Sequence, residues 1–120
     1  MKKLIAAAAL FAAIPALAHA ADLGGTWKIA LSVQGQTSAV SCVFTQAGNA
    51  ISGPCTGQAG TPHTATGTVD GDKVTFAYDT SIQGQALKIT YTADVQADGT
   101  LKGNADIGGM MAAPFTAKKD

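Results

Sequence analysis

The stretch SVQGQ at Ser32–Gln36 returns as SIQGQ at Ser81–Gln85, 49 residues further along a chain of 120 residues. Each copy joins two segments in which apolar and polar residues alternate, and a period of two is typical of β-strands. A glycine beside polar residues between two such segments predicts a tight hairpin turn. The repeated stretch therefore predicts two equivalent hairpins, and this prediction directs the interpretation of the whole chain.

The same alternation continues outward from both hairpins, and no segment has the periodicity of an amphipathic helix. The predicted strands are Thr26–Val33, Ser38–Gln46, Ala50–Thr56, His63–Val69, Lys73–Thr80, Gln85–Val95, Thr100–Ile107 and Met111–Lys118. The last strand leaves two alternatives open for its inward face, which are Met111, Ala113, Phe115 and Ala117, or Met110, Ala112 and Pro114.

A shift of 49 residues aligns more than the two turns, since it places Trp27 on Phe76 and Cys42 on Tyr91. The chain therefore divides into two four-stranded halves, Thr26–Val69 and Thr75–Lys118. One such half leaves two unpaired edges, whereas two halves can close on each other and remove them. The predicted fold is all-β, an eight-stranded antiparallel up-and-down barrel built from two four-stranded pseudo-repeats, with a flattened two-sheet sandwich as the alternative.

Hairpin loops predict which residues face each other, because loop length sets the register. A loop at Gly35-Gln36 pairs Leu31 with Val40, Ile29 with Cys42 and Trp27 with Phe44. Loops at Gly71-Asp72, Gln83-Gly84 and Ala97–Gly99 pair Val69 with Val74, Tyr78 with Ile89 and Val95 with Leu101. The loop at Gly71-Asp72 also sets His63 opposite Thr80 on the inward face.

The chain contains two cysteines, Cys42 and Cys55, which a loop at Gly48-Asn49 places directly opposite each other. This register predicts a structural disulfide across neighbouring strands, because side chains in such a pair lie close together. A redox-active pair is the alternative, and the spacing of a CxxC motif is missing. Pro54 has no backbone N–H to donate to a neighbouring strand, so the third strand is expected to bulge or to pair poorly there.

Residues 1–20 have the pattern of a secretory signal peptide, with Lys2 and Lys3 before an apolar run and Ala18-His19-Ala20 as the cleavage site. We expect residues 21–120 to form one periplasmic or secreted bacterial domain that does not insert into a membrane after cleavage. This domain has six lysines against eight aspartates, hence a net charge of −2, and it has no arginine. The absence of a basic stripe argues against nucleic-acid binding.

The residue types argue against catalysis and metal binding. His63 is the one histidine of residues 21–120, and no G-x-S-x-G motif accompanies it. A metal site needs several converging ligands, and Asp70-Gly71-Asp72 lacks the later ligands of a calcium loop. We therefore expect no enzyme activity, catalytic residue, metal or cofactor, and Asp70-Gly71-Asp72 is interpreted as a hairpin turn.

Large and small residues share the predicted inward face, and this leaves two alternatives for the interior. The large residues can pack against glycine and alanine to give a solid core, or they can line a pocket at one end of the barrel. The candidate ligand-binding residues are Trp27, Phe44, His63, Phe76, Tyr78, Thr80 and Tyr91. His63 is more often a structural polar group in such a position than a ligand-binding one.

Three stretches carry a resemblance to known proteins: GTWKIAL from Gly25, TATGTVDGDKVTF at Thr64–Phe76, and YTADVQADGTLKGNADIGG at Tyr91–Gly109. The chain resembles a small exported bacterial β-barrel module of the calycin type (lipocalin- and avidin-like), which is also appended to secreted amidohydrolase-type enzymes. It departs from avidin-like proteins in having one tryptophan and from lipocalins in lacking arginine. The resemblance therefore implies the fold, but neither a biotin site nor a lipocalin ligand.

Two hypotheses about function follow. The first is a non-enzymatic exported barrel that binds a small, largely apolar molecule at one mouth. The second is a protein-binding module, either a periplasmic protease inhibitor or an accessory subunit of a secreted enzyme. The second needs an exposed apolar patch, for which Leu23 or the tip Gly108–Met111 is the candidate. The chain is similar in size to periplasmic inhibitors of metalloproteases, but Ala21–Gly24 is a short inhibitory tail.

Overall fold

The computed structural model describes residues 22–57 and 60–120, and these residues form eight strands without a helix. The predicted signal peptide lies outside the described residues. Every strand has alternating buried and exposed residues, which is the pattern from which the strands were predicted. The strands are β1 (Gly25–Val33), β2 (Gln36–Ala47), β3 (Ala50–Thr56), β4 (Pro62–Asp70), β5 (Lys73–Ile82), β6 (Gln85–Val95), β7 (Leu101–Ile107) and β8 (Met111–Lys119).

The sheet closes into a barrel in which each strand pairs with its neighbours in sequence. Closure is made by β1 and β8, which are antiparallel, with Trp27 opposite Lys119 and Leu31 opposite Phe115. A closed sheet has no unpaired edge. The predicted up-and-down barrel is therefore confirmed, and the two-sheet sandwich is not the fold.

Three of the predicted hairpin registers are confirmed. Val69 faces Val74, Tyr78 faces Ile89, and Val95 faces Leu101. Gly99 has the left-handed backbone conformation expected of the last residue of its loop, with φ of 89°. These turns could be predicted because each contains a glycine at the position that requires positive φ.

The predicted register of the first hairpin was wrong by two residues. The turn is Gln34-Gly35 and not Gly35-Gln36, and both turn residues have positive φ, 51° and 81°. Ile29 consequently faces Val40, Leu31 faces Ser38, and Trp27 faces Cys42. A type I′ turn needs left-handed backbone at both central residues, and Gln34 adopts it although asparagine or glycine is usual there. Because the shift is an even number of residues, the inward face of both strands is still the predicted one.

The two halves of the chain are structurally equivalent, as the repeat predicted. Gln83 and Gly84 form the turn between β5 and β6 with φ of 53° and 79°, close to the values of the first turn. The pair Phe76–Tyr91 in the second half occupies the place of the pair Trp27–Cys42 in the first. The repeated stretches are thus the same hairpin turn used twice.

The pairing of β2 with β3 is interrupted where Pro54 was expected to disturb it. The ladder contains Thr45 opposite Ser52 and Cys42 opposite Cys55, but no pairs between these two positions. Gly53 lies within the interruption, and a Cβ atom added to it would overlap the carbonyl oxygen of Val43. The predicted disulfide between Cys42 and Cys55 is confirmed, and it joins the two strands just beyond the interruption.

Large residues pack opposite glycine or alanine in the interior. Phe76 faces Gly67, Phe115 faces Gly103, and Tyr91 faces Ala105. The eighth strand follows the first of its two alternatives, because Ala113, Phe115 and Ala117 are buried whereas Pro114 is exposed. This alternation of large and small residues fills the middle of the barrel.

Candidate functional site

The barrel has two chemically different ends. We call the end formed by the β1–β2, β3–β4, β5–β6 and β7–β8 turns the mouth, and the opposite end, where both termini of the barrel lie, the closed end. The mouth turns contain no charged residue in sequence. The closed end, in contrast, carries the exposed acidic residues Asp22, Asp72, Asp98 and Asp120. The uncharged end is therefore the one suited to an apolar ligand.

Leu23 seals the closed end, with 1% of its surface exposed. Its backbone N–H donates to Gln46 Oε1 over 2.5 Å, and its carbonyl oxygen accepts a hydrogen bond of 2.9 Å from Trp27 Nε1. The Lys119 ammonium lies 5.9 Å from the centre of the Trp27 ring. The expectation that Leu23 belongs to an exposed apolar patch is therefore wrong, because this side chain completes the core. Alternation could not predict the burial of Leu23, because this residue precedes the first alternating segment.

An aromatic layer fills the middle of the barrel. Phe76 stacks on Tyr91 with ring centres 4.6 Å apart, and Phe44 and Phe115 meet this pair edge-on, each at 5.0 Å. Phe76, Tyr91 and Phe115 are almost completely buried. The layer separates the closed end from the mouth, so the interior is solid at half its height.

Inward residues at the mouth are less completely covered than those below the aromatic layer. Leu31, Val40, Ile89 and Ile107 keep 6 to 8% of their surface exposed. At the closed end, Trp27, Ile51, Val69 and Leu101 keep 1 to 2%. The inner wall at the mouth is therefore slightly less covered than the wall at the closed end, and partly buried Val33, Leu87 and Met111 pack beside it.

Four of the predicted site residues form a polar cluster on one side of the mouth. The hydroxyl oxygens of Tyr78 and Tyr91 are 2.9 Å apart, and Thr80 Oγ1 lies 3.3 Å from His63 Nε2. The His63 ring stacks on Tyr78, with centres 5.8 Å apart and planes inclined by 10°. The four residues lie on the neighbouring strands β4, β5 and β6. They meet because the side chain of each residue points inward near the mouth.

The remaining predicted site residues do not reach this cluster directly. Phe76 lies beneath it in the aromatic layer, in contact with Tyr91. Phe44 belongs to the same layer through its edge-on contact with Phe76, and Trp27 lies at the closed end beside Leu23. The structure thus brings His63, Tyr78, Thr80 and Tyr91 together and leaves Trp27 and Phe44 apart from them.

Burial keeps both tyrosine hydroxyls of the cluster neutral. Desolvation raises the pKa of Tyr91 well above its usual range, and the neighbouring Tyr78 raises it further. Desolvation also raises the pKa of Tyr78, although the hydrogen bond with Tyr91 acts in the opposite direction. Neither phenol ionises near neutral pH, so the cluster offers hydroxyl groups and no negative charge to a ligand.

The cluster lies where the two halves of the barrel differ. Under the shift of 49 residues, Tyr78 and Tyr91 correspond to Ile29 and Cys42, and Thr80 corresponds to Leu31. All three counterparts are buried apolar residues. The same end of the barrel therefore has one polar wall and one apolar wall. The equivalent hairpin of the other half therefore accommodates apolar residues at the same positions.

The outer surface carries grooves that sequence analysis missed. One groove, about 660 Å³, crosses β8 and its neighbours and is lined by Asp94, Lys102, Asn104, Pro114 and Thr116 among others. A second groove of about 460 Å³ lies across β1 and β8. Both are formed where small exposed residues stand between longer ones. Alternation along single strands gives no signal for such a feature, because it depends on residues of several strands.

The part of the chain that the structure describes contains no group of three or more histidine, cysteine or acidic residues placed to hold a metal ion. Met110 and Met111 point to different sides, since Met110 is 68% exposed and Met111 packs against the core. Within the same residues, no helix is long and apolar enough to cross a membrane.

The fold and its disulfide define a class of protein. The chain is an eight-stranded antiparallel β-barrel, consistent with a calycin-like fold. Its buried disulfide indicates an oxidising, extracellular compartment. Comparison with protein-family models, curated proteins and solved structures finds no match for this chain.

Proposed function

We propose that the protein binds a small, largely apolar molecule at the mouth and catalyses no reaction. The observation that carries the proposal is the incompletely covered apolar wall beside the polar cluster at the mouth. Binding sites for small molecules combine apolar walls with a few polar groups that orient the ligand. The aromatic layer limits the depth of the site, so the ligand lies between that layer and the mouth turns.

A mouth-blocking variant tests this proposal. Met111 is partly buried at the mouth, whereas its neighbour Ala112 is exposed on the outside of β8. We expect Met111→Trp to weaken binding of a neutral aromatic probe such as 2-ethylnaphthalene at least about tenfold, because the indole takes the ligand's place. Ala112→Trp should bind the probe as the wild type does. Equal affinities for all three proteins, measured by equilibrium dialysis, would contradict a site at the mouth.

The proposal that the protein is not an enzyme has its sharpest test at His63. Its Nε2 atom touches the Thr80 hydroxyl, an arrangement that a nucleophile and its base would share. Such a base is normally oriented by a third group, and within the described residues no carboxylate is hydrogen-bonded to His63. We expect no burst of product when the protein is incubated with activated esters, and a His63-dependent burst would overturn the proposal.

We further propose that the protein is exported to the periplasm or secreted after removal of residues 1–20, as an exported calycin-like module. The support is the signal-peptide pattern together with the disulfide. Mass spectrometry of the protein from a periplasmic fraction should give a chain that begins at Ala21. A chain that keeps Met1 in the cytoplasm would contradict this.

A second candidate function, binding of a partner protein, is supported by the exposed tip between β7 and β8. Met110 at this tip is 68% exposed, and the surrounding mouth turns are uncharged. We expect Met110→Asp to abolish capture of such a partner from periplasmic extract. Val43→Asp is the matched control, because Val43 is 46% exposed on the outside of β2. Equal capture by both variants would exclude the tip as the docking surface.

A further inference from the structure

Burial determines which of the two hydroxyls, that of Tyr78 or that of Tyr91, donates the hydrogen bond between them. The two hydroxyl oxygens are 2.9 Å apart, and either can donate to the other. Tyr91 has no exposed surface, whereas Tyr78 keeps 8% of its surface exposed. Among the described residues, Tyr78 is the one hydrogen-bond partner of the Tyr91 hydroxyl.

If Tyr78 donated to Tyr91, the hydrogen of the Tyr91 hydroxyl would be buried without an acceptor. An unsatisfied buried donor costs about 1–3 kcal/mol, so this arrangement is the unfavourable one. In the opposite arrangement Tyr91 donates to Tyr78, and each phenol oxygen carries one hydrogen. The hydrogen of the Tyr78 hydroxyl then stays available to an acceptor that enters from the mouth.

The charges around the mouth decide what kind of acceptor fits. The core of the described residues contains no buried charged side chain. Asp79 and Lys88 are the charged residues nearest the cluster along β5 and β6, and they face each other on the exposed side of these strands. A carboxylate at Tyr78 would therefore lose its hydration without gaining a fixed counter-charge, which is costly. A neutral oxygen acceptor has no such penalty.

We propose that the ligand carries a neutral carbonyl oxygen, which accepts a hydrogen bond from the Tyr78 hydroxyl while its apolar body lies against Leu31, Val40 and Ile89. The ligand class is thus apolar ketones, quinones and esters, as opposed to hydrocarbons and fatty-acid anions. This inference rests on the proposed function. His63 and Thr80 are positioning residues, because His63 stacks on the Tyr78 ring and is itself held by Thr80.

The test compares three naphthalene derivatives by equilibrium dialysis at pH 8. In 2-acetylnaphthalene a carbonyl replaces a methylene of 2-ethylnaphthalene, and 2-naphthoate carries a charged carboxylate of similar size. We expect the wild type to bind the ketone about fivefold more tightly than the hydrocarbon, as one additional hydrogen bond predicts. The naphthoate should bind more weakly than the ketone.

Tyr78→Phe removes the donor and should reduce the ratio of the two affinities to one or below, because the ketone oxygen then loses its hydrogen bonds to water without gaining a new one. Thr75→Val is the matched control, because this substitution also removes a hydroxyl from β5 but does so on the exposed face of the strand. Equal binding of ketone and hydrocarbon by the wild type would overturn the inference and leave the proposed function intact. So would tighter binding of the naphthoate, or a ratio that survives in Tyr78→Phe. If none of the three compounds binds, the proposed function itself fails.

Discussion

At the scale of single residues, the height of an inward side chain in the barrel determines what it can contact. Tyr78, Tyr91, His63 and Thr80 lie near the mouth and form one cluster, whereas Trp27 lies at the opposite end. Alternation along the strands predicted that all five side chains face inward. It did not predict their height, because height in a barrel depends on the stagger of all strands, which no single hairpin determines.

Gly67 tests the packing of large against small residues. A Cβ atom at this position would overlap the Thr75 carbonyl oxygen and come within 2.6 Å of Phe76 Cβ. We therefore expect Gly67→Ala to lower the free energy of unfolding by about 1–3 kcal/mol, as overpacking does. Gly57→Ala is the control, because nothing lies within 4 Å of a Cβ atom there. Urea denaturation compares the two, and an unchanged midpoint for Gly67→Ala would contradict the packing.

The buried phenols predict how stability depends on pH. Burial raises the pKa of Tyr91 above its ordinary value of 10.0, so the unfolded chain loses this proton first. The free energy of unfolding therefore keeps its full value below pH 10 and falls as the pH rises further. The free energy of unfolding should then fall by up to about 1.4 kcal/mol per pH unit for each buried tyrosine. Denaturation between pH 8 and 11.5 measures this, and Tyr91→Phe should show a shallower fall than the wild type.

At the scale of elements, turn chemistry determined what could be predicted. The hairpin at Gly71-Asp72 was placed correctly because glycine fixed its first residue, which has φ of 60°. The first hairpin was misplaced by one residue, although its turn and the correctly placed copy are both a glutamine with positive φ followed by glycine. Comparison of the two repeats therefore contained the information needed to correct the first.

The disulfide between β2 and β3 stabilises a pair of strands whose ladder is interrupted. The cysteines are 13 residues apart, and a loop of this length corresponds to about 3 kcal/mol of stability. Replacing both Cys42 and Cys55 by alanine should lower the free energy of unfolding by about this amount. Hydrogen exchange should quicken at the Ser41 and Thr56 amides, while the Tyr91 amide of the other half stays protected. An unchanged stability would show that the strands hold together without the bond.

At the scale of the whole molecule, the repeat predicted closure but not the difference between the two ends. Closure followed because two equivalent four-stranded halves remove each other's edges. The closed end depends on Leu23, which lies before the first strand, and on hydrogen bonds from Trp27 and to Gln46. Leu23 lies outside every alternating segment, and its contact with Gln46 joins residues 23 positions apart, so alternation along one strand gives no sign of this end.

The most direct test of a binding site at the mouth is to identify the residues of the wild-type protein that a ligand perturbs. Two-dimensional 1H–15N NMR during titration with 2-acetylnaphthalene reports each backbone amide separately. The account predicts shifts at the mouth, at Val40, Ile89 and Ile107, while Val69 and Leu101 at the closed end stay unchanged. Shifts confined to the outer groove at Asn104 and Thr116, or no shift at any amide, would contradict it.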